Sequence, residues 1–377
     1  MKIFYLTSVL GDSGGSEIYA RDLIRELIRR GHKVMVCTPN PYLVKGAKMV
    51  FLPRAGHHAL WKFEAPFFCG KALKAAREFR PDVIQSHSNS MMGLMGHAIK
   101  RDLKVPHVLL IELLSSQNAN IHTKFIHFTE RIFLPRLNYD RLVVWTEQMK
   151  QKFLLPWGIA VEKIEVMPAA INIDNYPIIG VSGEKVKKKY GRHLITSIKT
   201  LWGTNVKGLE FVVRAMKIVG EKHPEYKYVI FGGGTEKPAM EAFVKIQGLE
   251  KNVVVAGAIR PEDCRYVWAA TEIAPHSYVY EFSTSVSLLE YMAMGKACVV
   301  TDVGNVRPFV GDAALVVKPN DEKAMAEGIL RLIEDKKLRE SLGKKARARV
   351  EGLYSIKASV DRLERIYAEE LKKEGAK

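Results

Sequence analysis

Two strand-loop-helix units, one in each half of the chain, constrain the fold most. The first runs from the apolar segment KIFYLT through a glycine-rich loop to a helix whose apolar face carries Leu23 and Leu27. The second runs from LITSIKT through a loop to a helix whose apolar face carries Leu209 and Val213. Such repeated units are typical of parallel sheets covered by helices on both faces. The sequence therefore predicts an α/β protein built from βαβ units.

The length of the chain predicts two such domains. Its 377 residues amount to about two and a half times the length of a modal domain. Apolar residues make up 47% of the chain and charged residues 26%, which is typical of globular proteins rather than of disordered or membrane-embedded ones. The opening residues MKIFYLTSVLG imitate a short signal peptide, but they lack a cleavage site and lead directly into an amphipathic helix. We therefore expect them to form the first strand.

The formal net charge of +17 predicts attraction to polyanions such as nucleotide diphosphates, anionic lipid surfaces or nucleic acid. Nucleic acid is disfavoured because the basic residues are dispersed through helices, and no helix-turn-helix, zinc or RNP signature is present. Four scattered cysteines without a C-x-x-C pair indicate reduced thiols of a cytoplasmic protein. The histidines show no metal-ligand spacing, so neither a metal nor another cofactor is expected.

The stretch from Pro275 to Asn305 combines a strand, a loop, a helix and a second strand. Residues 283–285 offer N-caps for the helix, and Gly295 provides a stop. The free N–H groups at such a helix start are suited to bind an anion. Glu290 shares a helix face with Ser287, three residues earlier. It either faces a ligand or closes a capping box with Ser287.

The order of residues in this stretch resembles the donor-site motif of the family-4 glycosyltransferases (glycosyl transferases group 1). The matching segments are S-x-x-Y-E, a short loop, and L-L-E-x-M-A-x-G-K. The resemblance implies the GT-B fold, with two doubly wound Rossmann-like domains facing a cleft, and sugar transfer with retention of configuration. Two glutamates bracket seven residues in the family, whereas Glu281 and Glu290 bracket eight here and Phe282 stands in the strict register. The resemblance assigns Glu290 to the ribose hydroxyls and Glu281 to catalysis beside the donor sugar.

Basic residues and glycines match the family's diphosphate site. The family places an Arg and a Lys five residues apart after the first strand of the second domain, whereas Lys199 and Lys207 stand eight apart here. The resemblance implies that both lysines stabilise the leaving diphosphate, although a lysine before a helix is also commonly a solvated surface charge. Further donor contacts are implied for the glycine loops and the helix start: Gly14, Gly15, Gly232, Ser285, Val286 and Ser287.

His87 is the penultimate residue of the segment PDVIQSHS, which resembles the family motif D-V-I-H-x-H. A lone histidine is usually structural, but the match to the second histidine of the motif implies a catalytic position beside the donor sugar. Gln85 replaces the first histidine of the motif, and Glu112 follows the next strand where the family often has histidine.

The segment KIEVMPAAINIDNY resembles the family's linker V-x-P-N-G-V-D, with Ala169 and Ala170 in place of Asn-Gly. The predicted acceptor-binding N-terminal domain therefore comprises residues 1–173, and the nucleotide-sugar-binding domain comprises residues 174–354. The last helix, predicted at residues 355–373, matches the helix that crosses back onto the N-terminal domain in GT-B proteins.

These features together predict a retaining glycosyltransferase that moves a sugar from a UDP-, GDP- or ADP-sugar to a glycan, lipid-linked or small-molecule acceptor. We expect it to work without a metal, because lysines supply the positive charge. The main alternative is a GT-B protein without transfer activity, such as a sugar-nucleotide epimerase or a degenerate binding module. A nucleic-acid-binding protein is a more distant alternative. A Rossmann oxidoreductase is disfavoured because Pro39-Asn40, rather than an acidic residue, closes the second strand.

Aromatic and basic residues are interleaved in residues 54–80 and 118–141. Helices of this composition either pack on a sheet or lie on an anionic membrane surface, and packing is the favoured interpretation. The sequence thus predicts a cytoplasmic protein and leaves open peripheral attachment to the inner face of the membrane. Attachment of this kind must weaken as salt rises, because it depends on screened charge.

Overall fold

The computed structural model describes residues 1–12, 15–53, 61–88, 90–112, 114, 121–201, 203–278 and 285–375. The chain divides into two compact units. Unit 1 comprises Met1–Ala170 and Ile356–Lys377, and unit 2 comprises Ile171–Ser355. The chain therefore passes between the units twice, after Ala170 and after Ser355.

Unit 1 contains a parallel sheet whose strands are buried apolar segments. In the described residues its strands are β1 (Lys2–Thr7), β2 (Lys33–Thr38), β3 (Lys48–Phe51), β4 (Val83–Ser88), β5 (His107–Ile111), β6 (Arg141–Val144) and β7 (Ile164–Val166). Their spatial order is β3-β2-β1-β4-β5-β6-β7. Because β1 lies between β2 and β4, the order reverses beside β1. In doubly wound sheets ligands bind at the carboxyl ends of the strands at such a switch point.

The helices of unit 1 connect successive strands of its sheet. They are α1 (Gly15–Arg29), α2 (Trp61–Phe79), α3 (Ser90–Leu103), α4 (Ile121–Phe133) and α5 (Glu147–Met149), which continues as a π-helical turn at Lys150–Leu154. The apolar face of α1 buries Leu23, Ile24 and Leu27 completely, as its periodicity predicts.

Unit 2 repeats this arrangement with a second parallel sheet. Its described strands are β8 (His193–Ile198), β9 (Tyr226–Phe231), β10 (Val253–Gly257), β11 (Ile273–His276), β12 (Ala297–Thr301) and β13 (Leu315–Val317). Their spatial order is β10-β9-β8-β11-β12-β13. The order reverses between β8 and β11, so the residues that follow these two strands occupy the switch point of unit 2.

Helices cover both faces of the second sheet. They are α6 (Glu184–Tyr190), α7 (Thr204–Lys222), α8 (Lys237–Ile246), α9 (Cys264–Ala270), α10 (Val286–Ala293), α11 (Val306–Val310), α12 (Glu322–Glu334) and α13 (Lys336–Leu353). One core cluster joins Val212 and Met216 of α7 to Ile230 of β9 and Ile329 of α12, all with no exposed surface. In the described part of the chain, no helix is long and apolar enough to cross a membrane.

The last helix, α14 (Ile356–Gly375), belongs to unit 1. It buries Leu363 and Tyr367 against that unit, and the Tyr367 hydroxyl donates a 2.7 Å hydrogen bond to Oε1 of Gln85 on β4. Arg30 after α1 forms ion pairs with Asp361 and Glu364. The predicted return of the last helix to the N-terminal part of the chain is therefore confirmed.

Candidate active site

Two loops are in close backbone contact at the carboxyl ends of the strands in unit 2. We call this edge of the sheet its carboxyl edge. The amide of Lys199 donates to the carbonyl of Phe231, and the amide of Leu201 donates to that of Gly233, both at 2.9 Å. Gly232 has a φ of 155°, and a Cβ there would overlap the carbonyl oxygen of Lys199. Glycine is needed at 232 because the two loops touch through their backbones.

Lys199 brings a partly buried cation to this edge. Its Nζ lies 4.2 Å from the centre of the Tyr278 ring, within range of a cation–π interaction. Burial lowers the pKa of its ammonium group to about 8. Among the described residues, no carboxylate lies within ion-pair distance of Lys199. A desolvated ammonium group without an acidic partner favours an anionic ligand.

The first turn of α10 is attached to the same edge. Ser285 is the N-cap, and its hydroxyl oxygen accepts a 3.3 Å hydrogen bond from the amide of Leu288. The Ser287 hydroxyl instead donates 3.0 Å to the carbonyl of Ile198, the last residue of β8. The capping box of Ser287 with Glu290 is therefore wrong, because Ser287 lies inside the helix and its hydroxyl binds another strand.

The end of α10 agrees with the sequence. Gly295 has a φ of 65°, and its amide donates to the carbonyl of Met292. The amide of Lys296 donates to the carbonyl of Tyr291. This paired arrangement is the Schellman motif, which requires a left-handed residue after the helix and favours glycine there.

Glu290 lies on α10 one turn after Ser287. Its Oε1 accepts a 3.0 Å hydrogen bond from the hydroxyl of Tyr176, and burial raises the pKa of its carboxyl group to about 7. The Tyr176 ring packs against Trp268, with ring centres 5.1 Å apart. Glu290 is thus held in a defined position rather than left as a solvated surface carboxylate.

Lys207 lies in the first turns of α7 and is exposed. The next residue, Gly208, approaches the end of β11 so closely that a Cβ would overlap the carbonyl oxygen of Ser277. The helix start that carries Lys207 therefore lies at the same sheet edge as Lys199. Its exposure fits both a ligand contact and a solvated charge.

Two buried polar atoms at the end of β11 were missed by sequence reasoning. Nε2 of His276 and Oγ of Ser277 have no hydrogen-bond partner in the described part of the chain, although their side chains are almost fully buried. Burial and the charge of Lys199 together hold the pKa of His276 well below its ordinary value. Unpaired buried polar groups are costly, and a bound ligand or water is the usual explanation. Two polar residues directly after the apolar segment IAP were the available signal.

A small cavity adjoins the start of α10. Its lining consists of Tyr278, Ser285, Leu288, Val303, Asn305, Val306 and Phe309. The cavity thus lies beside the N-cap of α10 and beyond the carboxyl end of β12.

His87, at the switch point of unit 1, is fully buried in a hydrogen-bonded cluster. Its Nε2 lies 2.7 Å from Oε1 of Glu112, and its Nδ1 lies 2.6 Å from the Tyr5 hydroxyl. Because a carboxylate only accepts hydrogen bonds, Nε2 carries a proton, and in the neutral ring Nδ1 accepts from Tyr5. The Tyr19 ring packs edge-on against His87 at 5.7 Å. One of these two hydrogen bonds must open before a ring nitrogen of His87 can contact a donor sugar.

The remaining predicted residues fall into two groups. Gly15 is the first residue of α1, and Val286 is the first residue of α10, so their amides lie at helix starts. Gly14 and Glu281 lie outside the described residues, as does Phe282. The position of Glu281 relative to Glu290 therefore stays a prediction.

The chain matches known families over most of its length. Residues 13–175 match the model of Glycosyltransferase Family 4, and residues 182–349 match that of Glycosyl transferases group 1. D-inositol 3-phosphate glycosyltransferase of Corynebacterium jeikeium is 26% identical, over 95% of this chain and 92% of the relative.

Solved structures share the fold. Sucrose-phosphate synthase of Thermosynechococcus elongatus superposes with a TM-score of 0.79 at 20% identity, covering 98% of both chains. Anabaena HepE in complex with UDP gives a TM-score of 0.79 at 17% identity, covering 98% of this chain and all of HepE. The protein is a GT-B glycosyltransferase. It belongs to glycosyltransferase family 4, as its donor-site motif indicates.

Proposed function

We propose that the protein transfers a sugar from a nucleoside-diphosphate sugar to an acceptor with retention of configuration. The observation that carries this proposal is the carboxyl edge of unit 2, where Lys199 and the N-terminus of α10 meet at the switch point and Glu290 lies one turn further along that helix. Ser287 fastens the helix start directly to the strand that precedes Lys199. A cation, a helix N-terminus and a carboxylate are the groups that a diphosphate and a ribose require.

The leaving group dictates the role of the positive charges. When the bond between the sugar and the diphosphate breaks, negative charge develops on the β-phosphate. Lys199, Lys207 and the free amides in the first turn of α10 stabilise that charge, together with the amides of Gly14 and Gly15. These groups do the work of a divalent metal, so turnover without one is part of the proposal. In the described residues, no group of three potential metal ligands occurs.

Glu290 binds the ribose in this proposal, because a carboxylate accepts hydrogen bonds from hydroxyl groups well. Glu281 contacts the donor sugar and assists catalysis. His87 reaches the reacting centre by exchanging its bond to Tyr5 or Glu112 for one to the sugar.

The donor is a UDP-, GDP- or ADP-sugar, and the acceptor is a glycan, a lipid-linked sugar or a small molecule. The complex of HepE with UDP supports a nucleotide donor for this fold. A thermal-shift screen against the three classes of nucleotide sugar tests the proposal, with the free sugars as controls. We expect one class to raise the melting temperature at millimolar concentration or below. Stabilisation by no nucleotide sugar contradicts the proposal.

A product assay separates transfer from the alternative functions. NMR of the product formed from the stabilising donor should show the anomeric configuration of that donor. Epimerisation of the donor without transfer supports the alternative of a GT-B epimerase, and binding without turnover supports a degenerate binding module. An inverted anomeric centre contradicts retention.

Attachment to an anionic membrane is proposed for the aromatic and basic part of unit 1. Of the segment at residues 118–141, Phe128 and Phe133 are more than half exposed, and Arg131 and Arg136 are exposed beside them. Exposed aromatic rings flanked by cations suit the interface of an anionic bilayer. Co-sedimentation with phosphatidylserine vesicles at low salt, lost at high salt and with neutral vesicles, is the expected result. No co-sedimentation at low salt contradicts attachment.

A further inference from the structure

Tyr176 connects the start of unit 2 with the carboxylate that is proposed to bind ribose. Unit 2 begins at Ile171, five residues earlier in the chain. The Tyr176 hydroxyl donates a 3.0 Å hydrogen bond to Oε1 of Glu290, 114 residues later. A residue beside the crossing between the units thus contacts the proposed nucleotide site directly.

Ring packing and a backbone hydrogen bond hold Tyr176 in place. Its ring packs on Trp268 of α9, with an angle of 48° between the ring planes, and only 8% of the residue is exposed. Nη1 of Arg347 on α13 donates 2.6 Å hydrogen bonds to the carbonyls of both Tyr176 and Ala293, the last residue of α10. One guanidinium group therefore fastens Tyr176 to the helix that carries Glu290. The Tyr176 ring cannot swing away from Glu290 without losing its packing on Trp268.

We propose that Tyr176 is a positioning residue for the nucleotide, which fixes Oε1 of Glu290 so that Oε2 is presented to the ribose. This inference rests on the proposed function and refines it, because one carboxylate oxygen rather than two then serves the ribose hydroxyls. A hydroxyl that donates to a carboxylate also favours its charged form. Tyr176 thus sets both the orientation and the charge of Glu290.

The carboxyl group of Glu290 changes its charge near neutral pH. Burial raises the pKa of its carboxyl group to about 7, and the hydrogen bond from Tyr176 acts in the opposite direction. Removing that bond raises the pKa further, so the carboxylate is lost at a higher pH than in the native protein.

The other groups around Glu290 do not change charge in this range. Burial raises the pKa of the Cys264 thiol on α9 to about 12, and it raises the pKa of Tyr291 on α10 well above its ordinary value. Arg347, from α13, donates hydrogen bonds to two backbone carbonyls and pairs with the Glu351 carboxylate. A pH dependence that disappears with Glu290 therefore reports this carboxyl group.

The test is isothermal titration of UDP, GDP and ADP into the native protein and Tyr176→Phe across neutral and mildly alkaline pH. We expect Tyr176→Phe to bind its nucleotide about fivefold more weakly at pH 7, the change in charged fraction when a pKa near 7 rises by about one unit. The difference should narrow about two pH units higher, where both proteins carry the carboxylate and only the lost orientation of Glu290 remains. Ionisation of Lys199 and of the phosphate is common to both proteins and cancels in the comparison.

Tyr226→Phe is the matched control. The Tyr226 hydroxyl donates an equally long 3.0 Å hydrogen bond to Glu272, but it lies at the first residue of β9, away from the carboxyl edge. This variant should bind the nucleotide like the native protein at every pH. Combined with Glu290→Gln, Tyr176→Phe should no longer shift the pH profile.

The outcomes of this titration test the role of Tyr176 and the proposed function separately. A pH profile of Tyr176→Phe that overlays the native one overturns the positioning role, and a loss that is equal at every pH overturns the control of the charge of Glu290 by Tyr176. If the shift of the pH profile persists in the Glu290→Gln background, the shift comes from another group, and the positioning role of Tyr176 is overturned. If the native protein binds none of the three diphosphates, the proposed function itself fails, and the role of Tyr176 fails with it.

Discussion

The carboxyl edges of the two sheets carry similar polar residues in opposite states. In unit 1, both nitrogens of the buried His87 ring are engaged by Tyr5 and Glu112. In unit 2, buried polar atoms of His276 and Ser277 have no partner among the described residues. A saturated cluster stabilises the fold without a ligand, whereas unpaired buried atoms are stabilised by a ligand. The same doubly wound topology therefore gives unit 1 an edge whose buried histidine is fully hydrogen-bonded. It gives unit 2 an edge with unpaired buried polar atoms, which we call the prepared edge because a ligand can bind there.

Lys199→Ala is the substitution expected to affect the prepared edge most. It removes the desolvated cation that is proposed to stabilise the departing diphosphate, so kcat should fall by about 10²- to 10³-fold. Steady-state transfer from the stabilising nucleotide sugar measures this. Lys217→Ala, at an exposed position of α7, is the control and should retain native activity. Native kcat in Lys199→Ala would remove this lysine from the proposed mechanism.

His87→Ala tests whether the edge of unit 1 is structural. The substitution leaves Glu112 and Tyr5 without their buried partner, so the free energy of unfolding should fall by about 2–4 kcal/mol. Urea unfolding measures it, and His97→Ala, at a partly buried ring of the same unit, should cost less. Free UDP or GDP should bind the folded variant as it binds the native protein, because the nucleotide is proposed to bind unit 2. If His87→Ala kept native stability but lost nucleotide binding, the edge of unit 1 rather than that of unit 2 would be the binding edge.

Glu290→Gln should weaken nucleotide binding by about 1–3 kcal/mol, because a neutral amide is a poorer acceptor for a ribose hydroxyl. Calorimetry should show the same loss for the free nucleotide and for the nucleotide sugar. Glu281→Gln is the comparison variant, which should spare the free nucleotide and lower only transfer and sugar-dependent affinity. Unchanged binding of both ligands by Glu290→Gln would remove the ribose assignment.

The smallest expected effect is that of metal removal. Since cations and helix amides of the protein are proposed to neutralise the diphosphate, EDTA should leave the transfer rate unchanged. Adding Mg²⁺ or Mn²⁺ after EDTA is the control measurement. If EDTA abolished activity and a divalent ion restored it, the cations and helix amides of unit 2 would be insufficient to neutralise the diphosphate.

Local patterns predicted the elements of the fold well. Alternating strands and amphipathic helices indicated parallel sheets, and Gly295 marked the end of α10, because both signals depend on neighbouring residues. The capping box of Ser287 and Glu290 was wrong because their partners are distant in sequence: the carbonyl of Ile198 and the hydroxyl of Tyr176. Spacing along one helix does not reveal such contacts.

The same limit applies to the site residues. The position of His87 at a strand end followed from the sequence, but its pairing with Glu112, 25 residues later, needed the register of β4 and β5. The unpaired atoms of His276 and Ser277 become informative only once their burial is known. Residue types at strand ends were thus predictable, whereas their state of pairing was not.

The return of α14 to unit 1 has a consequence for synthesis of the protein. Residues 356–375 leave the ribosome only after all of unit 2. Unit 1 therefore lacks its last helix at a time when every residue of unit 2 has been synthesised. Until then β4 lacks the Tyr367 partner of Gln85, and the face of α1 that meets α14 is uncovered. Although domains near the N-terminus commonly fold first during translation, here the order of completion is inverted. We therefore expect the nascent N-terminal half to keep apolar surface exposed until α14 has been made.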